Sequence, residues 1–86
     1  MIDVKEAVRI ALEAVRELYT QVPQLTLEEA EIGKDGNTWI VIVSFSRPFA
    51  KSTIEAMTGH SGTTTYKKLE IDAETGIVRA LKMHQV

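Results

Sequence analysis

The 86-residue sequence predicts an α+β domain, with one N-terminal helix packed on a four-stranded antiparallel sheet. Three observations carry this. Residues 4–19 place apolar side chains at helical spacing. Residues 38–46 alternate in the two-residue period of a strand. Finally, Asp35-Gly36 and the run Asp72-Ala73-Glu74-Thr75-Gly76 are hairpin signals, each flanked by strand-like sequence. A helix followed only by hairpins has no crossover to build a parallel sheet, so the strands must be antiparallel.

The helix is expected from Asp3 to about Thr20. Asp3 can cap the first turn, and Glu6 stands where a capping box places a carboxylate. Val4, Ala7, Val8, Ala11, Leu12, Ala14, Val15, Leu18 and Tyr19 form the apolar stripe. Arg9 and Glu13, and Glu13 and Arg16, have the spacing of exposed ion pairs. Pro23 blocks continuation by pushing residue 22 out of the helical region.

The first strand is expected from Leu25 to about Ile32. Leu25 and Leu27 have one parity and Ala30 and Ile32 the other, so a bulge near Glu28-Glu29 is needed to keep all four on one face. A helical turn over Leu-Glu-Glu-Ala is the competing local preference. After the Lys34–Asn37 turn, the second strand runs from Thr38 to Ser46. Trp39, Val41, Val43 and Phe45 share the face under the helix, and Ile40, Ile42, Ser44 and Ser46 share the other. Burying each large apolar side chain of this stripe contributes roughly 1.5–3 kcal/mol.

Residues 47–63 are a long connection rich in Ser, Thr and Gly, with a short helix expected at Ser52–Met57 and a loop at Gly59–Gly62. The final hairpin is expected over about Thr64–Gln85. Its turn is predicted as type I, closed by a glycine bulge at Gly76.

Composition narrows the function. With 86 residues there is room for a single domain spanning residues 1–86. The chain has no cysteine, which removes disulfides and thiolate metal sites and favours a reducing compartment. The formal net charge of -2 gives none of the basic footprint of a nucleic-acid binder. No apolar run approaches a membrane span, and Met1 leads directly into a charged amphipathic segment. These features lean towards the cytoplasm, although an exported chain whose leader has been removed would read the same.

Several elements together resemble a known family. They are the helix Val4-Lys-Glu-Ala-Val-Arg-Ile-Ala11, the acidic strand and turn Glu28-Glu-Ala-Glu-Ile-Gly-Lys-Asp-Gly36, and the Trp39-led strand. The closing pattern Tyr66-x-x-Leu-x-Ile-Asp-Ala-Glu-Thr-Gly-Ile-Val78 completes the set. This is similar to PepSY-type domains, small modules of cystatin-like character. The resemblance covers most of the chain except residues 47–63. It implies a non-enzymatic domain that binds or restrains peptidases and other partners, and it supplies no catalytic residues or cofactor.

Reactive-looking residues have plainer roles. His60 and Ser61 are adjacent, and adjacency in sequence does not aim an imidazole at a hydroxyl; Glu55 is the nearest carboxylate. Arg47 and Lys51 flank a loop whose backbone N–H groups can hold an anion, but it lacks the phosphate-loop spacing. His60 and His84 have no metal-ligand spacing and are expected at the surface. Glu28, Glu29 and Glu31 suit an edge strand that resists aggregation.

The candidate binding residues are therefore Ile40 and Ile42, on the sheet face away from the helix, together with Arg47, Lys51, Met57 and His60 in the connection. The expected partner is a protein or a second copy in a homodimer. The alternatives are that the connection folds back over the apolar face, or that Gly59–Gly62 forms a small-molecule site.

Overall fold

The computed structural model describes residues 1–48 and 62–84. It contains helix α1 (Val4–Leu18) and strands β1 (Thr26–Ile32), β2 (Thr38–Pro48), β3 (Gly62–Asp72) and β4 (Val78–Met83). The strands form one antiparallel sheet in the order β1-β2-β3-β4. The expected α+β class and topology are therefore the ones observed.

Helix α1 begins as its first residues dictate. Asp3 is the N-cap and accepts the Glu6 N–H at 2.9 Å. Such a cap contributes about 1 kcal/mol. The reciprocal half of the expected capping box is not made, because the Glu6 carboxylate turns to Arg9 instead. Arg9 also meets Glu13 at 2.9 Å, so it bridges two carboxylates, whereas the expected Glu13–Arg16 pair is not among the ion pairs of the described residues. The Arg9 guanidinium holds the Glu6 carboxyl below its ordinary range.

Ala7, Ala11 and Val15 of the helix are fully buried against Val41, Val43, Phe45, Leu69 and Ile71 of the two central strands. The alanines let the helix lie close to the sheet, while the branched and aromatic strand residues fill the space beneath it. Val4 and Leu18, at the two ends of the stripe, extend past this contact and stay exposed. Tyr19 closes the far end, its ring centroid 5.3 Å from that of Phe45.

The bulge expected in β1 is present. Leu27 pairs with Val43 and Glu29 with Ile42, leaving Glu28 as the extra residue. Leu27, Ala30 and Ile32 consequently share the helix side of the sheet. The competing helical turn does not form, since β2 offers a full ladder of backbone partners. In the β1–β2 turn, Gly36 has φ +72° and the Asp35 carboxylate accepts the Asn37 N–H at 2.8 Å. That bond, more than any other, lowers the Asp35 pKa.

The second turn differs in detail from its expectation. Gly76 takes φ +76°, but its N–H donates to the Asp72 carbonyl four residues back. The Asp72 N–H donates in turn to the Ile77 carbonyl. Ala73–Gly76 therefore form a four-residue loop, one residue wider than a type I turn with a glycine bulge. The Asp72 carboxylate accepts the N–H groups of Glu74 and Thr75 at 2.8 and 3.0 Å, which lowers its pKa. A further bulge lies in β4, where Glu70 pairs with Ala80 and Ile71 with Val78. Arg79, the residue passed over, ties the two turns together by donating to the Thr38 hydroxyl and approaching Asp72 Oδ2 at 3.9 Å.

The two central strands are longer than expected. β2 continues to Pro48, and Gly62, expected in a loop, opens β3. β1 pairs only with residues 39–44 of β2, and β4 only with residues 67–71 of β3. The backbone pairs Arg47–Thr63 and Pro48–Gly62 thus lie beyond both outer strands as a two-stranded ribbon. The short helix expected at Ser52–Met57 lies outside the described residues.

Candidate functional site: the sheet face away from the helix

Strand alternation and the β1 bulge decide what this face carries. A regular strand sends successive side chains to opposite faces. The bulge places Glu28 beside Glu29 on the face away from α1, where Ser44 donates its hydroxyl to Glu28 Oε2 at 2.6 Å. Ser44 is itself buried, so this bond fixes the carboxylate against the sheet. On β3 the same parity presents Tyr66, Lys68 and Glu70, with Tyr66 opposite Ser44. The His84 N–H donates to the Tyr66 carbonyl at 3.0 Å, extending the β4 ladder by one residue and setting His84 beside Tyr66.

These side chains surround a depression of about 220 Å³, lined by Glu28, Glu29, Ile42, Tyr66 and His84. Ile42 sits between its cross-strand partners Glu29 and Lys68 and is only 8% exposed. The apolar patch expected at Ile40 and Ile42 is accordingly small, with Ile42 buried and Ile40 half-buried. The face is mainly polar, acidic along β1 and holding Lys68 and Lys82 on the other side. Lys82 pairs with Glu70 at 3.2 Å.

The structure brings Ile42 into the depression. Arg47 lies in β2 just before the end of the described strand. Lys51, Met57 and His60, along with Ser61 and Glu55, lie outside the described residues. Sequence reasoning gives Glu28, Glu29 and His84 only surface roles and does not single out Tyr66. The β1 bulge is the signal that could have paired the two glutamates on one face. Among the described residues, no three His, Asp or Glu side chains group to hold a metal ion. No helix there is long and apolar enough to cross a membrane.

No family model, curated protein or solved structure matches this chain. The PepSY-type reading therefore rests on the quoted sequence residues alone.

Proposed function

We propose that this domain is a non-enzymatic binding module of PepSY type. It recognises a protein partner through the sheet face away from the helix and the 47–63 connection. The observation that carries this reading is the depression on that face, where a buried apolar floor at Ile42 adjoins polar groups at Glu28, Glu29, Tyr66 and His84, with Glu28 held by the Ser44 hydroxyl. A concave surface combining apolar area with a few placed polar groups is the usual form of a recognition site. Tyr is also among the side chains enriched where proteins meet, because it offers a rigid apolar ring with one polar end.

The test is site-specific photocrosslinking in cells. A benzophenone amino acid replaces Tyr66 in one variant and Glu13, on the exposed side of the helix, in another. A discrete adduct from position 66 and none from position 13 is expected. Native mass spectrometry of the purified adduct then separates a second copy from a different protein. Equal labelling from both positions, or none from position 66, would overturn the reading.

A further inference from the structure

We propose that the depression on the outer sheet face receives one basic side chain of the partner, an arginine in preference to a lysine. This rests on the binding reading above and adds the chemistry of what is bound.

Consider what each lining group asks of a ligand. Glu28 and Glu29 stand side by side because the bulge removes the usual alternation. Their carboxylates only accept hydrogen bonds, and each has several acceptor positions. Glu28 spends one of these on the Ser44 hydroxyl, so the group is both held in place and still able to accept. An anionic ligand would be repelled here. A purely apolar one would strip water from two charges and return nothing. A cationic head group answers both carboxylates at once.

The remaining lining residues select among cations. Ile42 supplies an apolar floor, suited to the methylene stem of a long basic side chain. Tyr66 supplies an aromatic ring and His84 an imidazole. A guanidinium is planar, so it can stack on such a ring while its fork of N–H donors meets a carboxylate. An ammonium makes the ion pair but cannot stack in the same way. A volume of about 220 Å³ accommodates one such side chain and not a folded segment. Lys68 follows Glu29 and Ile42 in the same cross-strand row but does not line the depression.

The experiment titrates the whole domain with N-acetyl-arginine methylamide and follows backbone amide resonances. The citrulline analogue, matched in shape but uncharged, and the lysine analogue, charged but not planar, are the controls, and the lysine analogue is expected to bind more weakly than arginine. Saturable shifts confined to residues 28, 29, 42, 66 and 84 are expected, with the citrulline analogue binding roughly fivefold or more weakly. The Glu28→Gln/Glu29→Gln double variant keeps an acceptor for Ser44 and should lose a similar factor. Glu31→Gln, on the same face outside the depression, should change binding by less than about twofold. Equal binding of the citrulline analogue would overturn the proposal. So would shifts spread evenly over Glu31, Glu70 and Asp72. If crosslinking from position 66 succeeds while arginine shows no preference, the basic-residue claim falls and the binding face stands. If both fail, both readings fall.

Discussion

The indole N–H of Trp39 donates to the backbone carbonyl of Ile2 at 3.1 Å, joining the chain's first residues to the middle of the sheet. The Ile2 N–H donates to the Ala73 carbonyl at 2.8 Å, and the Ala73 N–H to the Asn37 carbonyl at 2.9 Å. Three segments far apart in sequence are thereby fastened in one line: the entry to the helix, the start of β2 and the loop before β4. Trp39→Phe removes the donor and leaves the Ile2 carbonyl without this partner. A loss of about 1–3 kcal/mol is expected from the missing bond and the smaller ring. Urea denaturation followed by far-ultraviolet circular dichroism measures it. An unchanged midpoint would show that the bond contributes nothing to stability. Faster hydrogen exchange at the Ile2 amide is the accompanying local sign.

Much of this fold was legible because local chemistry and tertiary packing agree. Asp3 marks the start of the helix in the sequence and caps it in the structure. The change of parity between Leu27 and Ala30 demands a bulge, and the bulge falls there. Agreement fails where one residue has two suitors. Glu6 is placed to complete a capping box, but the two-pronged Arg9 guanidinium, one turn along, is the stronger partner. In β4, Val78, Ala80 and Leu81 are apolar on both parities, so alternation does not reveal the bulge at Arg79. The candidate site was legible only in part. That Tyr66 faces away from the helix follows from Leu69 and Ile71 facing towards it. That it meets Ser44 and His84 depends on the registers of β2–β3 and β3–β4, and no local pattern in the sequence records these.

Acid should loosen the turn before β4. The Asp72 carboxylate accepts the Thr75 and Glu74 N–H groups, which favours its charged form and lowers its pKa from the ordinary 3.8. A carboxylate with a depressed folded-state pKa contributes stability above its unfolded value and loses it as pH falls through the folded value. Asp72→Ala is therefore expected to be less stable than wild type at pH 6, with the gap narrowing as the pH falls below about 4. Denaturant midpoints at several pH values test this. A gap that stays constant down to pH 2 would mean that the charge on Asp72 plays no part.

The two hairpin glycines should respond differently to a methyl group. Gly36 and Gly76 share almost the same backbone angle, φ +72° and +76°. A Cβ on Gly36 would have nothing within 4 Å, whereas one on Gly76 would meet Ile10 Cδ1 at 3.1 Å. Gly36→Ala is expected to cost about 1 kcal/mol, the conformational penalty alone. Gly76→Ala should cost more, since Ile10 must also give way. Ile10→Val in the Gly76→Ala background should recover part of that excess and do nothing comparable beside Gly36→Ala. A double-mutant cycle reads the coupling directly. Equal costs at the two glycines would refute a packing role for Gly76.

Deleting Glu28 should separate the depression from the fold. The β1–β2 ladder runs in one register up to Leu27–Val43 and resumes at Glu29–Ile42, with Glu28 as the sole extra residue. Without it, Leu27, Ala30 and Ile32 alternate regularly and still reach the helix side, so the sheet should close as an unbulged ladder. What disappears is the adjacency of two carboxylates and the acceptor for the buried Ser44 hydroxyl. The unpaired hydroxyl sets the cost, about 1–3 kcal/mol. Amide spectra should therefore retain the dispersion of the folded sheet, with changes concentrated in β1 and its neighbours on β2. Collapse of the whole spectrum would show that the bulge is needed for folding. A folded deletion variant that kept the full arginine preference would show that paired carboxylates are not the source of that preference.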